Sequence, residues 1–371
     1  MRTRTALLAA VFAAALCAPA SAATITVSPG DSIQKAVNRA SSGDTVKVKP
    51  GTYKDTAKDC ATCALSITKN DIKLVGAKDP TKVVLRAKSG QETGISVSKA
   101  NPDDCLKRDG RRVKRSLIKG LTVKGFEENG LLLFCVDNWR ITNVRATGND
   151  EYGFFPLFSG KGRLDHSFAS GASDTGLYVG QSHDVQMDHN VATKNVVGLE
   201  LENTYRSAVH DNVAFGNTAG FISVVLPNLE VKFNRNNDIK DNDLHGNNKA
   251  NTCGDNHDVV CNVPSGSGLV MVSTDRNLVT GNKVKNNKTA GIATVSYCIL
   301  LGSEECHPDF EPNPDNNHIT GNTVTGNGKD PAHPYEGIAS DLIWDGTGKG
   351  NCWAINTYGT SFPDELPACG G

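Results

Sequence analysis

Glycine followed by an apolar residue recurs at Gly130, Gly153, Gly176, Gly198, Gly220, Gly268, Gly291 and Gly337, in steps of 23, 23, 22, 22, 48, 23 and 46 residues. The two long steps are about double the unit and predict loop insertions near 226–267 and 298–316. Each glycine opens an alternating run: Leu177 and Val179 follow Gly176, Leu199 and Leu201 follow Gly198, Leu269 and Met271 follow Gly268. Such alternation marks a short strand. A second apolar position lies eleven residues after the glycine, at Ile141, Met187, Val209 and Val279. The third lies between asparagines five residues apart: Ala192 between Asn190 and Asn195, Ala214 between Asn212 and Asn217, Leu244 between Asn242 and Asn247. Val284 sits between Asn282 and Asn287, and Val324 between Asn322 and Asn327.

Three inward stripes per period of 22 to 23 residues describe a coil of three short strands. Helical solenoids need longer amphipathic stretches, and propeller blades need about 40 residues per unit. The prediction is all-β: a right-handed parallel β-helix whose coils stack about 4.8 Å apart. The asparagines are expected at turns, in the left-handed conformation that Asn tolerates, with amides stacked from coil to coil.

A stacked sheet needs covered ends. Asp31-Ser32-Ile33-Gln34 reads as a helix start with a capping-box-like Gln three residues on, and Ile33, Ala36, Val37 and Ala40 share one face. A capping helix is therefore predicted at about 32–41. The Pro-rich tail over 350–371 forms the other cap.

The first 22 residues set the address. Arg2 and Arg4 precede an apolar stretch from Ala6 to Cys17, and Ala20-Ser21-Ala22 is a small-residue cleavage site. This predicts a signal peptide over 1–22 and a single secreted domain, extracellular or periplasmic, over 23–371. No later apolar run approaches the ~20 residues of a membrane span. Lys plus Arg is 39 against Asp plus Glu 40, so no general field attracts nucleic acid. Of the eleven Cys, ten follow Cys17 and cluster as neighbours: Cys60 with Cys63, Cys105 with Cys135, Cys253 with Cys261, Cys298 with Cys306, and Cys352 with Cys369. An even number in an oxidising compartment predicts disulfides with this pairing. A redox or zinc role for Cys60-Ala61-Thr62-Cys63 lacks a helix opening after it.

The runs Ser32-Ile33-Gln34-Lys35-Ala36-Val37, Gly43-Asp44-Thr45-Val46 and Pro50-Gly51-Thr52-Tyr53 resemble the N-terminal cap of secreted pectate-lyase-like β-helix proteins. The coils, as in Gly176-Leu177-Tyr178-Val179 and Gly198-Leu199-Glu200-Leu201, resemble the repeat of the nitrous oxide reductase maturation β-helix protein, within a functionally unassigned branch of bacterial β-helix repeat proteins. The resemblance covers roughly 24–350 and implies the fold rather than a reaction. Tyr152-Gly153-Phe154-Phe155-Pro156-Leu157 resembles the Y-G-F-D-P-H motif of alginate epimerases, with Phe155 at the Asp position and Leu157 at the His position. Neither side chain moves a proton, so epimerase chemistry by that route is not expected.

If residues one and three after each glycine point inward, those two and four after it face solvent. That outward ladder runs Leu132 and Phe134, Phe155 and Leu157, Tyr178 and Gly180, Glu200 and Glu202, Ile222 and Val224, Val270 and Val272, Ala293 and Val295, Ala339 and Asp341. Most of it is apolar, which predicts loops covering that face at several levels. Glu200 and Glu202 interrupt it, with Cα atoms about 6.6 Å apart on one strand, close enough to raise one pKa, share a divalent cation such as calcium, or serve a glycosidase. Tyr178 stands beside them. Lys232, after the loop Val225-Leu226-Pro227-Asn228, is the candidate to neutralise or deprotonate an acidic sugar, as a lyase requires. Arg206, His183 and Tyr205 are candidate substrate contacts in nearby turns. Asp255, His257 and Asp258 cluster without a recognised metal spacing. The expected activity is recognition of a polysaccharide along one sheet face, by a lyase or hydrolase with no required cofactor. The alternative is a non-catalytic module that binds an envelope protein.

Overall fold

The computed structural model describes residues 22–99, 105–107, 110–252, 259–300, 306 and 308–370. The predicted signal peptide, Cys253 and the Asp255, His257 and Asp258 cluster lie outside the described residues.

Three parallel sheets wind along one axis. One has 12 strands, from Thr24–Val27 to Cys352–Ala354; a second has 11, from Gly51–Tyr53 to Thr357–Tyr358; the third has 11, from Cys63–Ile67 to Ser361–Phe362. The third contains the glycine-opened strands, most of them six residues long, such as Thr175–Gly180 and Val197–Glu202. Every pairing between neighbouring coils is parallel, as in Leu177 opposite Leu199 and Leu199 opposite Phe221. This is a right-handed parallel β-helix. The three predicted stripes fill its interior, with Leu177, Met187 and Ala192 of one coil all at 0% exposure.

Among the described residues the asparagines form three buried ladders, one of them running from Asn237 through Asn277 and Asn317 to Asn351. In the first, Nδ2 of Asn190, Asn212, Asn242, Asn282 and Asn322 each donates to Oδ1 of the next rung, ending at Asn356, at 2.9 to 3.0 Å. The second ladder runs from Asn195 through Asn217, Asn247 and Asn287 to Asn327. Here the expectation that Asn itself takes the left-handed conformation is corrected. The positive φ belongs to the residue just before each rung: His189, Asp211, Asp241, Gly281, Gly321 and Ile355 on the first ladder. That turn aims the following amide inward, where each rung satisfies its neighbour's backbone N–H as well.

One further register reading is corrected. The strand after Ala290–Val295 is Ser340–Trp344, with Ala293 opposite Ile343. Asp341, not Gly337, therefore holds the glycine position, and Ile343, not Ala339, is the outward residue. Asp341 Oδ1 accepts from both N and Nδ2 of Asn327 at 2.8 Å, terminating the second ladder where a sixth amide would stand. Ala219–Val224 pairs directly with Ser267–Val272, and Ala290–Val295 with Ser340–Trp344, so each long step is one coil enlarged by insertions. The strands Asp238–Lys240 and Asp243–His245 split the 226–267 insertion in two.

The N-terminal helix spans Ile33–Arg39, with Ser32 Oγ accepting from Lys35 N. Gln34 is not a capping-box residue. Its side chain pairs in both directions with the backbone of Ser66, at 2.7 and 3.0 Å, closing the edge of the first glycine-type sheet strand. Four of the five predicted disulfides are formed: Cys60–Cys63, Cys105–Cys135, Cys298–Cys306 and Cys352–Cys369. Cys261 is also disulfide-bonded. The C-terminal end is a last coil, Cys352–Ala354, Thr357–Tyr358 and Ser361–Phe362, over which the tail folds back.

Candidate functional site

The strand Val197–Glu202 points Leu199 and Leu201 into the coil, both at 0% exposure, so Glu200 and Glu202 emerge on the outer face as the alternation requires. They do not face solvent. Glu200 is only 9% exposed, because the two insertions fold over this face. Ile222, Val224, Val270, Val272, Ala293, Val295 and Ile343 of the outward ladder form a second apolar cluster, joined by Leu226, Val260, Val263 and Tyr297 from the insertions. Aliphatic residues outside a coil are costly in water, and burying them under the loops removes that cost. The same cover desolvates the carboxylates.

Between sheet and cover lies a cavity of about 200 Å³. Tyr152, Asp174, Glu200 and Glu202 line one end; the rest is mostly Val, Ile and Leu, closed by Val259–Pro264. Tyr178 adjoins the acidic end. Its hydroxyl donates to Glu202 Oε1 at 2.7 Å, and Tyr152 donates to Asp174 Oδ2 at 2.7 Å. Phe155 stacks on Tyr152 with ring centroids 4.2 Å apart and packs on Tyr178 at 4.6 Å. The residue standing where epimerases carry an acid thus sets the position of two phenols.

Thr175 Oγ1 is 2.5 Å from Glu200 Oε2 and 3.0 Å from Asp174 Oδ1. A hydroxyl carries one proton, so it donates to only one of two carboxyl oxygens. Both contacts are satisfied when Glu200 is protonated and donates to Thr175, which in turn donates to Asp174. Electrostatics agree. Burial, reinforced by Asp174 and Glu202, pushes Glu200 well above the usual carboxylate range, against the opposing contact with Thr175. Burial pushes Glu202 up to about 7, against the opposing hydrogen bond from Tyr178. A neutral acid and a group titrating near neutrality therefore sit two residues apart on one strand.

The structure brings together Glu200, Glu202 and Tyr178 of the predicted residues. Lys232 is elsewhere: it pairs with Asp309 and does not line the cavity. Arg206, His183 and Tyr205 occupy turns at the edge of the 12-stranded sheet, outside the cavity. Arg206 Nε and Nη2 grip Asp184 at 2.9 and 2.8 Å, holding that carboxyl down to about 2, while His183 Nδ1 contacts the same Asp184 and its ring packs on Tyr205. Tyr152, Asp174 and Thr175 were not singled out from the sequence. The signal available was Asp174-Thr175 immediately before Gly176, where the next coil has Val196-Val197.

The family model described as periplasmic copper-binding protein (NosD) matches residues 158–358, more than half the chain. The chain belongs to the NosD family. No curated relative matches the sequence of this NosD-family protein. Among solved structures it is similar to the A-module of the mannuronan C-5 epimerase AlgE6 of Azotobacter vinelandii, with 20% identity over 88% of this chain and 90% of that one and a TM-score of 0.61. A mutant of the periplasmic alginate epimerase AlgG matches at 13% identity over 89% and 83%, TM-score 0.54. DFA-IIIase from Arthrobacter chlorophenolicus A6 matches at 13% over 85% and 74%, TM-score 0.54. At these identities the likeness is one of fold.

Proposed function

We propose that this NosD-family protein is a periplasmic carbohydrate-binding β-helix and a glycoside hydrolase, with Glu200 as general acid and Glu202 as general base. The observation that carries the reading is the pair itself: two carboxyls under a shared cover, one held protonated by burial beside Asp174, the other poised near pH 7. Glu200 gives its proton to the glycosidic oxygen as the bond to the anomeric carbon breaks. Glu202 takes a proton from the water whose oxygen attacks that carbon. Tyr178 keeps Glu202 oriented and partly ionised. One water is consumed, and the acid is restored from solvent.

The electrostatics favour an uncharged substrate. Among the described residues three carboxyl groups and no Lys or Arg line the cavity, so a uronate would enter against like charge without a cation to neutralise it. The lyase route loses Lys232 for the same reason, since that ammonium is engaged with Asp309.

Copper is the ion in the family's description. Among the described residues no three His, Cys, Asp or Glu side chains converge as a metal site requires. The described cysteines are in disulfides, and Met187 and Met271 lie in the coil interior at 0% exposure. The donor set of the described residues does not fit copper, and the hydrolytic reading needs no cofactor.

A second reading, a non-catalytic module that holds a partner protein, is favoured by the aliphatic walls, which suit an apolar side chain. Incubation with a panel of neutral and uronate polysaccharides separates the two. New reducing ends from neutral polymers support the hydrolase. Unsaturated products from uronates would replace it with a lyase, and no product on any polymer together with a stable co-purifying protein would establish the module.

A further inference from the structure

The outer face of the 12-stranded sheet carries an open groove of about 660 Å³ that the hydrolytic reading does not use. Its lining includes Lys73, Arg115, Arg140, Lys161, Arg163 and Arg206, with Asp184 as the acid among them. The cations follow the coil repeat. Arg140 and Arg163 stand opposite each other on adjacent coils, and Leu117 separates Arg140 from Lys73 in the same column. Adjacent rungs are therefore about 4.8 Å apart along the axis.

The arginines are fixed rather than floppy. Arg140 donates from Nε and Nη2 to Asp165 at 2.9 Å each, and Arg163 likewise to Asp188 at 2.8 and 2.7 Å. Both Asp side chains are at 0% exposure, while the arginine side chains are 49% and 39% exposed. Nη1 of each arginine hydrogen-bonds no described residue, so its N–H groups are left for a ligand. A buried carboxylate that orients an exposed guanidinium lowers the entropy lost on binding. Arg115 pairs with Asp71 at 3.5 Å, whereas among the described residues no ion pair engages Lys73 or Lys161.

We infer that this groove binds a linear, carboxylate-bearing polysaccharide, laid along the helix axis with its acid groups against the stacked cations. Charge complementarity and the axial repeat select an extended polyanion. Among the lining residues the aromatic ring is Trp139, which is 2% exposed and offers no platform for stacking bases, so nucleic acid is disfavoured. The groove and the Glu200 cavity lie on different sheets, and each stands or falls alone.

The test is titration of the mature protein with a defined oligogalacturonate at low and high salt. The variant combines Lys73→Gln, Arg115→Gln and Lys161→Gln, none of which is the partner of a fully buried Asp. A control of equal charge change combines Lys283→Gln, Lys329→Gln and Lys349→Gln, all exposed and outside the groove. The expected result is binding that weakens with salt, falls about tenfold or more in the groove variant, and stays within about twofold in the control. Unaltered melting of both variants excludes misfolding as the cause. Absence of binding by the parent, equal losses in the two variants, equal binding of a neutral oligosaccharide, or equal binding of a DNA oligonucleotide would overturn the inference.

Discussion

The hydroxyl of Tyr178 donates to Glu202 Oε1 at 2.7 Å from the neighbouring coil, where Gly180 lies directly opposite Glu202. Gly180 makes that bond possible, since a Cβ there would fall 1.8 Å from the Tyr178 oxygen.

Gly180→Ala should therefore displace the phenol. That hydrogen bond opposes the effect of burial on Glu202, so its loss should move Glu202 above about 7 and carry the acidic limb of the activity profile to higher pH. The pH dependence of kcat/KM checks this. A limb that does not move would mean that Tyr178 does not set the ionisation of Glu202.

Stability should fall as pH rises. Glu202 has a folded pKa of about 7 against an ordinary 4.5, and Glu200 is raised further, so the folded state binds more protons than the unfolded one between those values. The contribution is complete below about pH 4.5 and is lost as pH rises through 7, by roughly 3 kcal/mol for Glu202 alone. Melting temperatures at pH 5 and pH 8 should differ in this sense in the parent. The difference should shrink in the Glu200→Gln, Glu202→Gln double variant, which should be the more stable protein at pH 8. A parent more stable at pH 8 than at pH 5 would contradict the assignment.

How far the sequence foretold this site is a matter of distance along the chain. Leu199 and Leu201 alternate with Glu200 and Glu202 on one strand, so the face of each was legible from neighbours. Their burial was not, because the cover comes from Leu226, Val260, Val263 and Tyr297, up to nearly a hundred residues away. The apolar outward ladder did predict a covered face, but not that the cover reaches the acidic rung. Asp341 was placed on the outward ladder for a related reason: a nearby Gly337 matched the repeat, while the ladder contact that selects Asp341 for the glycine position exists only once Asn327 is stacked beneath it.

Asn242 is 0% exposed, donates to Val209 O and Asn282 Oδ1, and accepts from the backbone and side chain of Asn212. Asn242→Ala leaves these groups unpaired in the interior and should cost about 3 kcal/mol. Asn248→Ala, on the exposed turn beyond the ladder, should cost under about 1 kcal/mol. Urea unfolding of both variants measures the difference, and equal losses would deny the ladders their structural role.

Ile355 occupies the turn position filled by Gly281 and Gly321 in earlier coils, with φ 45° and 87% exposure. A β-branched residue is strained there and buries nothing in return. Ile355→Gly should raise stability by about 1 kcal/mol, seen as a higher melting temperature. A decrease would show that Ile355 makes a contact that outweighs its backbone strain.

The central claim is that Glu200 and Glu202 are the acid and base of a hydrolytic site, and the release of reducing ends from a neutral polysaccharide by Glu200→Gln, Glu202→Gln and the parent tests it most directly. The account predicts activity in the parent that rises with pH toward 7 and falls where Glu200 ionises, with each variant reduced by at least about tenfold, or about 1.4 kcal/mol in the barrier. Both variants should melt no lower than the parent at pH 8. Turnover by the variants equal to that of the parent, or no release by the parent from any neutral polymer, would contradict it.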